Sequence, residues 1–194
     1  TLLLGTVNTT GEFVANSDGS LAVGREEEKD NSGNVVKTAV AGSINAGGNV
    51  TLVAKDNLTL DGAVKAGNPE STKKTLTLKA VNGTITQTDK GAISADTVKT
   101  FSDKTLLLEN EANQFNNIIV DGLEPKQGEQ PAAIAGDVRI KDNSNALTVA
   151  VKRNVTGDIS VENLRASNTE GTKGTLTNNG NLTATGNISL TSKG

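Results

Sequence analysis

The chain has 194 residues, of which 34% are hydrophobic and 2% aromatic, and it contains no Trp, Tyr, Met, Cys or His. These values exclude a globular core built around large aromatic rings, and they exclude thiol chemistry and the usual zinc sites. The net charge is −3 and the lysines are scattered along the sequence rather than massed into a stripe. We therefore expect neither nucleic acid nor an anionic lipid surface as a partner.

The predicted elements are short strands in which polar and aliphatic residues alternate, separated by Gly, Asn and Asp, which permit sharp corners. In chain order they fall at residues 49–54, 58–60, 63–64, 75–78, 83–86, 92–94, 105–108, 118–120, 137–140, 147–151, 158–161, 175–177, 181–183 and 187–190. Residues 1–41 are less regular. No stretch approaches the roughly 18 apolar residues of a membrane span, so we expect no membrane insertion.

One phrase returns along the chain: Gly, then Asn or Asp, then two aliphatic residues flanking a polar one. It occurs at 48–52, 136–140, 157–161 and 186–190. The last three copies are separated by about the length of one solenoid coil, whereas an antiparallel sandwich, the alternative fold, gives no reason for such a return. We predict an all-β parallel β-helix formed by residues 1–194 as a single segment, with about eight or nine coils.

The strand periodicity also predicts which side chains of these copies are buried. The inward residues are Val50, Leu52, Val138, Ile140, Ile159, Val161, Ile188 and Leu190. The residues between and before them, such as Asp137, Arg139 and Asp158, are predicted to point outward.

Two insertions interrupt the coils. Residues 24–37 carry a charged run followed by a turn, which predicts an out-looping hairpin, and residues 121–135 contain two prolines and form the longest irregular stretch. Residues 66–74 and 165–174 are predicted to be short corner loops. Binding on solenoids tends to use such outer loops, although tolerated, solvated insertions are the simpler interpretation. The candidate ligand-contact residues are Glu124, Lys126, Gln127, Glu129, Arg25, Glu27 and Lys29.

The phrases at 48–54, 57–60, 80–86 and 176–190 resemble the repeats of filamentous-haemagglutinin-like exoproteins. The resemblance implies a right-handed β-helix within a large adhesin of Gram-negative bacteria, commonly exported by two-partner secretion. It also implies a secreted or cell-surface location at the exterior of the outer membrane, and passage through an outer-membrane transporter during export. The implied ligands are a host cell-surface or matrix protein, a glycan, or neighbouring bacterial cells.

A carbohydrate-active β-helix enzyme, such as a polysaccharide lyase or hydrolase, is the alternative. Asp137 and Asp158 occupy equivalent positions of consecutive phrases, with Arg139 nearby, so the two carboxylates are predicted to lie one coil apart. Such a pair can serve acid–base chemistry or hold calcium. Because Asn takes the same position in other copies, a solvated ladder is favoured, and we expect no enzymatic activity and no cofactor.

Asn-x-Ser/Thr sequons suggest possible modification of the outer surface. They occur at Asn8, Asn49, Asn57, Asn82, Asn154, Asn181 and Asn187. Asn49, Asn181 and Asn187 are the glycosylation candidates, because each begins a predicted strand. Chance occurrence in a chain rich in Asn, Ser and Thr is the simpler explanation.

Overall fold

A computed structural model describes residues 1–67, 74–166 and 173–194, and within these ranges every regular element is a strand. No helix that could cross a membrane is found in these ranges. Residues 68–73 and 167–172, which make up most of the two predicted corner loops, lie outside the described residues.

The strands stack into three parallel sheets, named A, B and C, and one antiparallel hairpin. Sheet A contains, in stacking order, β1 (Leu2–Leu4), β4 (Leu21–Val23), β9 (Leu58–Leu60), β12 (Ile85–Gln87), β15 (Lys104–Leu108), β17 (Ala135–Asp142), β19 (Ile159–Asn163) and β21 (Ile188–Ser192). Sheet B contains β2 (Thr6–Thr9), β7 (Ser43–Ala46), β10 (Val64–Ala66) and β13 (Ile93–Ser94). Sheet C contains β3 (Phe13–Ser17), β8 (Val50–Ala54), β11 (Thr75–Ala80), β14 (Thr97–Phe101), β16 (Asn117–Asp121), β18 (Ala146–Val151) and β20 (Thr175–Asn178). The hairpin pairs β5 (Glu28–Lys29) with β6 (Val35–Lys37).

Stacking order follows chain order in all three sheets, so each circuit of the chain adds one strand to a sheet. This arrangement is a parallel β-helix, and the predicted fold class is confirmed. The antiparallel sandwich is excluded because the strands of sheets A, B and C pair in parallel.

Sheets A and C run through the whole stack. Each coil also has a third, shorter side, and its position relative to sheet A changes along the stack. In the early coils sheet B lies between a strand of sheet A and the next strand of sheet C. After β13 it shrinks to a bridge between Ser94 and Gln114, and β17 then passes to β18 through residues 143–145 alone. In the last coils a third side reappears between sheets C and A, as the bridges Ile134–Val155 and Val155–Ala184.

The core is a column of aliphatic side chains from successive coils. Val50, Leu76 and Val98 are adjacent in register on sheet C and are fully buried. The predicted inward residues of the copies at 48–52, 136–140 and 157–161 are buried as expected. The prediction is wrong for the burial of Ile188 and Leu190, which are 46% and 42% exposed. They continue the columns of Ile159 and Val161, but β21 is the last strand of sheet A in the described chain, so nothing there covers them.

The strand predictions differ from the structure in three places. Residues 1–23, expected to be less regular, form one complete coil and the first strand of the next. The strands at Ser43–Ala46 and Thr97–Phe101 were not predicted, because each has few aliphatic residues. Residues 181–183 are not a strand, and only the neighbouring Ala184 makes a bridge.

The glycine of the repeated phrase meets a steric requirement at the corner before sheet A. Gly136, Gly157 and Gly186 stack there, with N–H to carbonyl hydrogen bonds of 3.0 and 3.1 Å. A Cβ atom on Gly157 would lie 2.6 Å from the carbonyl oxygen of Gly136, and one on Gly186 would lie 2.8 Å from that of Gly157. Any larger residue would force the coils apart.

We expect Gly157→Ala to lower the free energy of unfolding by about 1–3 kcal/mol, the usual cost of overpacking. Gly11→Ala is the matched control, since its Cβ would meet no atom within 4 Å and its φ is not positive. Urea unfolding measures both variants. Equal stability of the two would contradict a steric role for the corner glycines.

Candidate functional site

The outward Asp and Asn residues of the repeated phrase form a ladder along the corner before sheet A. Asp137 Oδ1 accepts a hydrogen bond of 2.9 Å from the N–H of Asp158, and Asp158 Oδ1 accepts one of 2.7 Å from the N–H of Asn187. Arg139 Nη2 lies 2.8 Å from Asp137 Oδ2. The prediction that the two carboxylates lie one coil apart beside Arg139 is therefore confirmed.

The ladder favours the charged form of Asp137. The hydrogen bond from the Asp158 backbone, followed by that from Arg139, lowers the pKa of Asp137. A carboxylate of lowered pKa carries no proton at neutral pH, so this geometry favours backbone capping over general acid chemistry. Asn49 and Asn57 also cap backbone groups of the next coil, because their Oδ1 atoms accept hydrogen bonds from the N–H groups of Thr75 and Thr84 at 3.0 Å.

The predicted hairpin of residues 24–37 is confirmed and is closed at its base by the bridge between Arg25 and Val40. The Arg25 guanidinium donates to the Thr38 carbonyl at 3.0 and 3.1 Å, so this candidate contact residue supports the hairpin itself. Glu27 and Lys29 form an ion pair of 3.1 Å with each other and are both well exposed.

The insertion predicted at 121–135 is irregular between Asp121, which ends β16, and Ala135, which begins β17. Its four candidate contact residues are Glu124, Lys126, Gln127 and Glu129, and all are exposed. A turn organises the tip: the Lys126 carbonyl accepts the Glu129 N–H at 2.9 Å, and Gly128 supplies a φ of +88°.

The start of this insertion is fixed to the coils. The N–H of Leu123 donates to Asp103 Oδ1 at 2.8 Å, and Arg153 forms an ion pair of 2.7 Å with Asp121. The side chain of Arg153 is only 11% exposed, so the pair is shielded from solvent more than any of the other ion pairs in the described chain.

The two insertions are attached at opposite ends of the sheet A strands. The hairpin follows the carboxyl end of β4, whereas the 122–134 loop precedes the amino end of β17. Strands β9, β12 and β15 separate β4 from β17 along the stack. The two sets of candidate contact residues therefore do not form one site.

The three candidate glycosylation residues are all exposed, but they differ in their bonding. Asn49 Nδ2 donates to Glu12 at 3.0 Å, so a glycan there would displace an existing contact. Asn187 is tied through its backbone N–H to Asp158. Asn181 lies outside any strand. Its glycosylation, like that of the other two, stays a prediction.

A second, buried ladder of polar side chains follows the carboxyl ends of the sheet A strands. The side-chain oxygens of Asn110, Asp142 and Asn163 each accept the N–H two residues further along, at distances of 2.8–3.0 Å. The second oxygen of Asp142 accepts the N–H of Phe115 at 2.9 Å. Asp142 and Asn163 are adjacent in register and fully buried, so their side chains support the following turns from within the core.

Comparison with protein-family models, with curated proteins and with solved structures gives no match. The resemblance to filamentous-haemagglutinin-like repeats therefore rests on the repeated phrases and stays a prediction. Within residues 1–67, 74–166 and 173–194, no group of three or more acidic side chains is arranged to hold a metal ion.

Sequence reasoning missed the outer face of sheet C. Strand stacking places Lys79, Lys99 and Phe101 side by side there, although the lysines are scattered in the sequence. The signal that could have found them is their shared position in the alternation of β11 and β14.

Two carboxylates on β17 predict opposite dependences of stability on pH. Burial raises the pKa of Asp142 against the opposing hydrogen bonds from Ser144 and Phe115. Its contribution to folding is thus full below the ordinary Asp pKa of about 4 and is lost as the pH rises through the raised value. Asp137 has a lowered pKa, so its contribution is present above pH of about 4 and is lost on acidification.

We expect the stability difference between wild type and Asp142→Asn to fall as the pH rises above about 4. The difference between wild type and Asp137→Asn should rise over the same change of pH. Urea unfolding of the three proteins from acidic to neutral pH tests this. The same slope for both variants would contradict the assigned environments.

Proposed function

We propose that this chain is a structural and presenting segment of a secreted or cell-surface bacterial adhesin. In this role it mediates attachment to host cells, to matrix or to other cells. The observation that carries the proposal is the continuous parallel stack of sheets A and C, with two insertions projecting from its corners. The resemblance of the repeated phrases to filamentous-haemagglutinin-like exoproteins supports the same function, and with it export through an outer-membrane transporter.

A stack of this kind is suited to presentation because each coil is bonded to the coils before and after it. Adjacent strands lie about 4.8 Å apart, so the eight strands of sheet A, with seven spacings between them, extend over roughly 34 Å. Loops at the corners can vary without disturbing the core, because their backbone lies outside the sheets. The hairpin and the 122–134 loop are the contact elements in this proposal.

Removal of either insertion should weaken attachment and leave the fold intact. For the loop, deletion of residues 123–132 leaves as many residues between Asp121 and Ile134 as lie between Lys152 and Val155 in the next coil. For the hairpin, residues 26–39 can be replaced by Asn-Gly, since Arg25 and Val40 are already bridged. Beads coated with each protein are counted on epithelial monolayers and on immobilised fibronectin.

Circular dichroism and thermal unfolding establish that each shortened protein keeps its sheets. Gly11→Ala is the control for a surface change outside the insertions. We expect at least a severalfold loss of attachment for each deletion, and unchanged attachment would make that insertion a decoration rather than a contact element. Attachment equal to wild type for both deletions would show that the insertions are not the contact elements. The absence of any attachment by the wild-type protein would contradict the proposed function.

The second candidate is a carbohydrate-active enzyme, favoured by the closeness of Asp137 and Asp158 beside Arg139. Both carboxylates are occupied by backbone N–H groups, so we expect incubation with polyuronates or neutral glycans to release no reducing ends and no unsaturated products. Product formation that disappears in Asp137→Asn and Asp158→Asn would establish the enzyme and contradict the adhesin proposal.

A further inference from the structure

The outer face of sheet C is formed by one side of the strand alternation. On β11 and β14 the buried Leu76, Leu78 and Val98 point into the core, so Thr77, Lys79, Thr97, Lys99 and Phe101 face outward. No insertion begins or ends at the middle of these strands.

Lysines collect on this face without acidic partners. Lys99 on β14 pairs in register with Thr77 on β11, and Lys79 lies two residues further along β11. Lys152 follows β18 and lies beside Asp121. Within the described residues none of the three lysines takes part in an ion pair, and Asp121 is neutralised by Arg153. On sheet A, by contrast, Arg139 is paired with Asp137.

Other cations around sheet A are paired as well, with Lys141 bonded to Glu111 and Lys193 to Glu162, although Lys104 at the start of β15 takes part in no ion pair within the described residues. The whole chain carries a net charge of −3. The sheet C face, where Lys79 and Lys99 lie on neighbouring strands and Lys152 follows a third, is therefore a locally cationic surface on an acidic protein and attracts anionic ligands.

Phe101 is the chain's one outward-facing aromatic ring on this sheet. Phe115 is 1% exposed and Phe13 packs against the core, whereas Phe101 is half-buried on the outer side. Its register partner is Lys79, and Lys99 precedes it by two residues on the same strand. Its other register partner is Asp121, which is paired with Arg153, so the ring lies between Lys79 and Asp121 along the stack.

Rows of hydroxyl and amide groups continue from this cluster along the stack. One row contains, in register, Thr75, Thr97, Asn117 and Thr148. Thr and Asn side chains both donate and accept hydrogen bonds, as sugar hydroxyls do. The row runs along the stacking axis, so a linear polymer can follow it from coil to coil.

We propose that the outer face of sheet C binds a linear polyuronate, a polysaccharide with one carboxylate per sugar and its remaining hydroxyls free. This inference goes beyond the proposed function, because it places a ligand on a face that neither insertion forms. Lys79 and Lys99 pair with the carboxylates, and Phe101 stacks on the C–H face of a sugar, to which the negative face of its ring is complementary. The Thr and Asn row pairs with free hydroxyls, which heavily sulfated chains lack and nucleic acid offers sparsely.

The test compares polygalacturonate with heparin, double-stranded DNA and uncharged dextran, by affinity electrophoresis and calorimetry on the full chain. We expect polygalacturonate to bind, and Lys79→Glu with Lys99→Glu to weaken it at least tenfold. Phe101→Leu, which keeps an apolar side chain without a ring, should weaken it severalfold. Lys65→Glu, on the outer face of sheet B, is the matched charge control and should change binding less than twofold.

Three outcomes overturn the proposal: equal losses for Lys65→Glu and the sheet C lysines, no effect of Phe101→Leu, or tighter binding to heparin or DNA than to polygalacturonate. Circular dichroism checks that each variant is folded. The attachment assay separates this inference from the proposed function. Attachment without polygalacturonate binding contradicts only the proposed ligand of sheet C. Polygalacturonate binding without attachment contradicts the adhesin function and still supports sheet C as a binding face.

Discussion

The constraint on which this structure depends is the register between coils. Each strand is hydrogen-bonded to the strand one circuit earlier, so every position in a coil lies directly above its counterpart. Inside the coils an aliphatic residue then mostly meets an aliphatic residue, as Leu52 meets Leu78, although the buried Thr100 stands between Leu78 and Val120 in the same column. At the corners, backbone meets backbone. The side chains need only satisfy their own column, which explains how a core without Trp or Tyr can be dry and continuous.

The corners are the most demanding part of this register. Where the chain turns, strand pairing stops and backbone N–H groups lose their partners, and an unpaired buried N–H is costly. Asp137, Asp158 and Asn57 supply those partners from the neighbouring coil, while Gly157 lets the two backbones approach. The Gly-Asn/Asp phrase is therefore a description of the corner as much as of the strand that follows.

The different demands of the corners and the strands explain what could be predicted from the sequence. The phrase combines steric, hydrogen-bonding and packing demands within five residues, so it is readable without an alignment, and the fold class follows from its return. The strands at Ser43–Ala46 and Thr97–Phe101 were missed because their burial comes from neighbours in other coils. The cluster of Lys79, Lys99 and Phe101 was missed for the same reason, since register joins residues that are separated by a whole circuit and by corners of unequal length. The corner ladder was predicted, because its members share a position in the phrase.

The change of corner by the third side has a consequence for the exchange of whole coils. In the early coils the third side is sheet B, whose strands pair only with one another, and it follows sheet A along the chain. In the last coils the bridges that form the third side precede sheet A. An early coil and a late coil are therefore not interchangeable within the stack, although both contribute strands to sheets A and C.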